Sequence, residues 1–425
     1  MNKISHLAPA ILLVMAGAIL SACNPKNGDD SVEIVDATGK ALDWPHWRGP
    51  NRNSIVSDSD WDPALLNRKD AVKWQANVGS GFSSVSLKGG LLYTAGYRDN
   101  ANTIYCLDVE TGKKVWEFSY SSRPSSYVGP KTAPAIDDDT VYFFGQEGHL
   151  HALEAETGKL IWEKFLPRDF EAPPPMWWYS SSPVIVEDRL ILNARKSGIA
   201  IDKNTGEKIW SSGQGRPGYA TAVPFENDTL VALFSSRALY AVDTRNGKVA
   251  WSHQWFTNPD VHVSDPLVIG NRVFISSDYG RGCALIDFTD NNPRVVWENV
   301  NLASHFSSSV YIEGYIYGNS GNAASRRGTF RCLDIETGEI QWSENLGIGS
   351  LIAVGDKLIL LNDRGRLSVA EISPEAYKEI SFVELREGLY WSPPVFTGGY
   401  LFNGGMHLTP VHATSGVLGL VHAHA

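Results

Sequence analysis

The chain has 425 residues, a formal net charge of −10, 14 Trp and 39 Gly. An acidic balance of this kind excludes nucleic acid as the main partner. The length admits two or three ordinary domains or a single repeat array, and long amphipathic helical stretches are hard to find, so strands and turns must carry the fold.

In chain order, residues 1–22 read as a signal peptide: Lys3 gives a positive start, and Leu7 to Leu20 is an apolar run too short for a membrane span. Leu20-Ser21-Ala22-Cys23 then places small residues before a cysteine, which resembles a bacterial lipobox and implies cleavage before Cys23 and acylation of its thiol. An ordinary signal peptide or an uncleaved anchor is the alternative. Asn24, rather than Asp, follows the cysteine, which in such lipoproteins leans toward the outer membrane. Residues 23–43 are polar and acidic and read as a flexible tether. The remaining cysteines, Cys106, Cys283 and Cys332, show no CxxC and no metal spacing. They are expected as buried free thiols.

From residue 72 onward one unit recurs. Cys332-Leu333-Asp334-Ile335-Glu336-Thr337-Gly338-Glu339-Ile340-Gln341-Trp342 reads as strand, tight turn, strand, with Gly338 supplying a positive φ and Trp342 pointing inward. The same apolar-acid, Thr/Asn-Gly, Trp pattern occurs at Asp108 with Trp116, Glu154 with Trp162, Asp202 with Trp210, and Asp243 with Trp251. Asp287 with Trp297 is a sixth copy that carries two extra turn residues. These Asp and Trp positions are expected to be structural.

The Trp positions 74, 116, 162, 210, 251, 297 and 342 are spaced by 41 to 48 residues, the period of four-stranded propeller blades. Four-strand sets begin near Ser83, Thr132, Ser181, Thr221, Ser264, Ser308 and Ser350, and an eighth set opens at Ser392. The strand Val72 to Ala76 has no partners before it. The expected fold is therefore all-β: an eight-bladed β-propeller of four-stranded antiparallel blades over residues 44–425, the last blade closed by strands from both termini, which removes open edges. The tail after about residue 403 breaks the pattern. Its histidines (His407, His412, His422, His424) suggest a metal site at most weakly, and a degenerate or frame-shifted tail is the blander reading.

The apolar-Asp, Thr-Gly, Trp unit resembles the pyrroloquinoline-quinone (PQQ) repeat over about residues 70 to 403. A lipoprotein with one such propeller is similar to the propeller lipoprotein of the outer-membrane β-barrel assembly machinery. The segment Trp44-Pro45-His46-Trp47-Arg48-Gly49-Pro50-Asn51-Arg52 resembles the opening of many PQQ-repeat propellers of unassigned role. The fold follows from this; function resides in sites and does not. The resemblance implies PQQ only if the dehydrogenases' apparatus is present, and this chain lacks their adjacent Cys pair and haem-binding CxxCH. No catalytic, cofactor or metal residues are assigned. No cofactor is expected, with PQQ and Ca²⁺ as the minor alternative.

Two patterns mark one face, where links between blades meet the turns between second and third strands. Tyr179, Tyr219, His262, Phe306 and Tyr390 stand where the chain enters the central channel, and Arg195, Arg237, Arg281, Arg327 and Arg364 stand on the turns. Trp177 and Trp178 follow a stiff Pro run in the link after the second blade, either buried or exposed for a partner. An aromatic funnel with a basic rim would suit an acidic protein loop; exposed turns and channel packing would produce the same residues without function. The expectation is a monomeric, non-enzymatic outer-membrane lipoprotein, anchored at Cys23, facing the periplasm and docking protein partners. A PQQ-dependent oxidoreductase and a ligand-binding propeller without turnover are the alternatives.

Overall fold

A computed structural model describes residues 43–57, 61–68, 71–124, 126–386, 388–407 and 415–422. The stretch read as a signal peptide, the stretch read as a tether with Cys23 (except Asp43), and His412 and His424 lie outside these residues. The strands form seven four-stranded sheets and one five-stranded sheet. In chain order they are sheet 1 (86–121), sheet 2 (135–165), sheet 3 (184–211), sheet 4 (223–254), sheet 5 (267–299), sheet 6 (310–344), sheet 7 (349–384) and sheet 8 (395–422 with Val72–Asn77). Within each, the consecutive strands pair antiparallel, as short hairpins require. Sheet 7 gains its fifth strand from Ile55–Val56, which pairs parallel with Ala353 and Val354.

The recurrent hairpin explains both the turn and the joint between sheets. Asp334 Oδ1 accepts from the Glu336 and Thr337 amides at 2.9 Å, and Asp108 does the same for Thr111 at 2.8 Å. Gly112, Gly158, Gly206, Gly247 and Gly338 all adopt φ between +66° and +72°. A Cβ on Gly158 would also sit 2.5 Å from the Trp116 ring of the preceding sheet. The glycine is thus required twice, for its φ and for the indole lying over it.

That indole is the fastener. Trp74, Trp116, Trp162, Trp210 and Trp297 each donate Nε1–H to the carbonyl one residue past the acidic turn residue of the next sheet. The acceptors are Val109, Ala155, Lys203, Thr244 and Ile335, at 2.7 to 3.0 Å. Trp342 reaches Ser373 of sheet 7 in the same way. Trp251 is the exception: its Nε1 has no partner among the described residues, and its ring stacks on Phe288 at 5.0 Å. The extra turn residues of sheet 5 form a 3₁₀ turn, and Asn291 N takes the Phe288 carbonyl. Sheets 1 to 6 therefore each dock on their successor through an indole, and Trp74 of sheet 8 docks on sheet 1. This is a propeller-like, all-β arrangement.

Hydroxyls stitch the inner strands. Ser392 Oγ donates to Phe82 O, and Ser83 Oγ to Thr132 O. Ser182 Oγ, Thr221 Oγ1, Asp265 Oδ1 and Ser308 Oγ each accept an amide from the preceding sheet, at 2.7 to 3.0 Å. Cys106, Cys283 and Cys332 are buried free thiols, each pushed up to about 12 by burial.

In the described part of the tail, Ser415–His422 pairs with both Tyr400–His407 and Val72–Asn77. Its Gly-rich sequence lacks the apolar-Asp mark, and pairing on both sides fixes it instead.

Candidate functional site

The inner strands all run the same way, so their two ends define two ends of a central passage. One end is closed by residues 44–56. Trp44 bridges Leu87 of sheet 1, Pro45 O accepts from Ile136 N of sheet 2, and Arg52 donates to Ile185 O of sheet 3. Arg48 donates to Ser309 O of sheet 6 at 2.6 Å, and Ile55–Val56 joins sheet 7. Beneath this segment lies a buried pair: Arg48 Nη1 stands 3.9 Å from Asp265 Oδ2, and Trp47 Nε1 donates to that same oxygen at 2.7 Å. Burial raises the Asp265 carboxyl above the ordinary range, while Arg48, Trp47 and the Thr221 amide oppose that rise. His46 is lowered to about 4, by burial first and then by Arg52.

The other end opens into a cavity of about 320 Å³. Trp47 and Asp265 form its floor. Its walls include Phe82, Trp391, Phe306 and Tyr127 on one side and Trp177 and Tyr219 on the other. Phe82 and Trp391 stack at 4.8 Å, and Trp391 meets Phe306 at 5.2 Å and Tyr127 at 5.4 Å. The polar lining groups include Lys131, Tyr279, His305 and Asn322.

Of the residues expected in the funnel, Tyr219, Phe306 and Trp177 line this cavity, and Tyr219 Oη accepts from Trp177 N at 3.3 Å. Three are placed elsewhere. Tyr179 is fully buried, donates to Ala172 O at 3.0 Å and packs on Phe144. His262 is fully buried, bonded through Nδ1 to Ser235 O at 2.6 Å and stacked on Phe234. Tyr390 is buried and donates to Arg386 O at 2.9 Å. In each case a backbone carbonyl captures the polar tip, from earlier in the same link for Tyr179 and Tyr390 and from Ser235 for His262, and the ring packs away from the cavity. Trp178, half-buried, lies beneath Arg123 at 5.4 Å.

The arginines divide as well. Arg327 and Arg364 are exposed, and Arg237 is exposed with an ion pair to Asp260 at 3.0 Å. Arg281 pairs with Glu298 and lies over the Trp255 ring at 3.5 Å, and Arg237 lies over Phe256 at 5.9 Å. Arg195 is half-buried and donates to Phe170 O at 2.9 Å. The rim is therefore largely charge-compensated rather than a free cationic ring. Residue-type reasoning did not find Lys131, Tyr279, His305, Trp391 or Trp47. Trp391 and Lys131 stand one residue past the aromatic position that was followed, and only the tertiary structure brings them together.

Comparison with known proteins agrees with this architecture. Residues 100–344, more than half of the chain, match the family described as outer membrane protein assembly factor BamB. The chain is similar to a quinoprotein ethanol dehydrogenase of Pseudomonas putida, 25% identical over 239 residues. That match covers 49% of this chain and 36% of the relative. It is also similar to an outer membrane protein assembly factor BamB of Yersinia pestis, 22% identical over 273 residues, covering 60% of this chain and 66% of the relative. Both matches thus span less than two thirds of the relatives' length. The crystal structure of BamB from Moraxella catarrhalis shares the fold, with a TM-score of 0.58 at 16% identity, covering 83% of this chain and 99% of that one. The repeat, the Trp fasteners and the family match lead to one conclusion: the chain belongs to the PQQ-repeat family described as outer membrane protein assembly factor BamB.

Proposed function

We propose that the protein is a non-enzymatic scaffold. Its sheets are the blades of an eight-bladed propeller, the eighth shared between the chain's two ends, and lipid at Cys23 holds it to the outer membrane, facing the periplasm. Protein partners dock on the face that carries the cavity mouth, and the partner class is that of the assembly factors it resembles. The observation that carries this reading is the state of the rim arginines. Arg281 and Arg237 are already laid on the Trp255 and Phe256 rings, so little side-chain freedom remains to be lost when a partner's carboxylates replace Asp260 and Glu298.

The dehydrogenase relatives raise PQQ as an alternative. PQQ carries three carboxylates and is held with Ca²⁺. The lining of this cavity offers one ammonium, Lys131, and one carboxylate, Asp265, already committed to Arg48 and Trp47. No group of three His, Cys, Asp or Glu suited to a metal occurs among the described residues. The donor set does not fit the cofactor.

The test is capture from a detergent-solubilised outer-membrane fraction by the protein lacking residues 1–23. Replacing Arg237, Arg281 and Arg327 together with Glu should abolish capture while the melting temperature holds. Equal capture by the triple variant refutes the reading. Calorimetry with PQQ and Ca²⁺ on the same sample checks the alternative, and saturable one-to-one binding would replace the scaffold with a quinoprotein.

A further inference from the structure

Two groups in the central cavity are over-provided for packing. The first is Lys131. Its side chain enters the cavity wall from the link before sheet 2, and among the described residues its ammonium has only neutral acceptors, Gln146 Oε1 at 3.3 Å and Gly129 O at 3.4 Å. Burial alone lowers it, to about 8, with no carboxylate acting on it. The other charged lining group, Asp265, is neutralised by Arg48 and hydrogen-bonded at both oxygens by Trp47 and the Thr221 amide. Among the described residues, the cavity therefore carries one net positive charge with no anion to match it.

The second is Tyr279, held at φ +61° on the turn of sheet 5. His305 Nδ1 accepts from Ala323 N at 3.1 Å. An amide nitrogen only donates, so this ring nitrogen bears no proton. Burial lowers the His305 pKa below its ordinary value, so the ring is neutral and its proton is on Nε2. Nε2–H then donates to Tyr279 Oη at 3.0 Å. The tyrosine's own proton is not used in that contact, and the residue lines the cavity. His305 thus presets Tyr279 as a donor. Asn322, beside it, is already committed: Nδ2 donates to Asp278 and Oδ1 accepts from Ala324 N.

Between these two poles the walls are aromatic on both sides. A volume of about 320 Å³ is at the small end of ligand cavities. We infer that this cavity is a binding site for an aromatic monocarboxylate: a ring held between Trp177 and Trp391, one carboxylate on the Lys131 ammonium, and one neutral acceptor on the Tyr279 hydroxyl. Small aromatic acids carry this chemistry, and so does the last residue of a chain ending in Phe, Tyr or Trp. The inference goes beyond partner docking and does not need it, because the rim arginines take no part.

The test is calorimetry on the protein lacking residues 1–23, with three probes: N-acetylphenylalanine, its amide, and a hexapeptide ending in Phe. The acid is expected to bind one to one, at least 10-fold tighter than the amide. Lys131→Gln should erase the difference between acid and amide, and Tyr279→Phe should weaken the acid several-fold. Similar affinity for the free acid and the hexapeptide assigns the site to small acids. A hexapeptide at least 10-fold tighter assigns it to chain ends. No binding of either, equal affinity for acid and amide, or an unchanged Lys131→Gln variant overturns the inference. If Lys131→Gln does not fold, the acid-against-amide comparison on the unaltered protein decides.

Discussion

Trp210→Phe and Trp251→Phe remove the same atoms from the same repeat position, yet they should differ sharply in cost. Trp210 Nε1 donates to Thr244 O at 2.8 Å in a buried joint. Phenylalanine leaves that carbonyl without a donor, a cost of about 1–3 kcal/mol, and the smaller ring leaves a cavity worth roughly 1 kcal/mol more. The expected loss is about 2–4 kcal/mol. Trp251 Nε1 has no partner among the described residues, and the carbonyl at the equivalent position, Phe288 O, takes Asn291 N. Phenylalanine there also costs roughly 1 kcal/mol in packing, but it removes a buried N–H whose desolvation was uncompensated by about 1–3 kcal/mol. The net change should be near zero or stabilising. Urea unfolding followed by far-ultraviolet circular dichroism reads the difference without relying on the altered fluorophores. With a slope of about 3 kcal/mol per molar, Trp210→Phe should fall roughly 1 M below Trp251→Phe. Coinciding midpoints would refute the fastener argument, since packing alone treats the two sites alike.

Two further predictions rest on the same geometry and on burial. Gly158→Ala forces a Cβ to within 2.5 Å of the Trp116 ring at φ +71°, whereas Gly270→Ala meets nothing within 4 Å at φ +57°. The first should cost about 2–4 kcal/mol from strain and overpacking together and the second about 1 kcal/mol, with thermal melts ranking them; equal melting temperatures would sink the claim. His46 and His262 are lowered to about 4 and His151 to about 3, each by burial first. The unfolded chain binds these protons near pH 6.5 and the folded one does not, so stability is fully present above 6.5 and falls as pH drops through 6 toward 4. The slope is at most about 1.4 kcal/mol per pH unit for each histidine. A melting temperature that stays flat between pH 7 and 5 would contradict this.

The hairpins were legible because their determinants are local. Asp334, Thr337, Gly338 and Trp342 fall within one strand-turn-strand, and each does what its residue type implies. The closure of sheet 8 was legible in outline, because Val72–Asn77 has no local partner. The site was read much less well. Tyr390 and Trp391 are adjacent, and nothing in their types says which one faces the cavity and which fills the joint behind it. The arginines were read as free charge because their partners lie on other segments: Arg237 pairs with Asp260, 23 residues on, and Arg281 with Glu298, 17 residues on. Lys131, Tyr279 and His305 are unremarkable in sequence, and their meaning arises only when three separate sheets bring them around one cavity.

The segment 44–56 sets a constraint on when the molecule can be finished. It is among the first parts of the propeller to be synthesised, but Arg48 waits for Ser309 and Ile55 for Ala353. Val72–Asn77 waits longer still, for Ser415–His422. Such long-range pairings slow folding, because chain entropy is lost before contacts compensate. The middle sheets can assemble in order, each against its neighbour, while the beginning of the propeller stays unsettled until the last strand arrives. Residues 44–56 then act as a late lock, and the nascent chain must be kept from aggregation for the whole interval between Trp44 and Ser415.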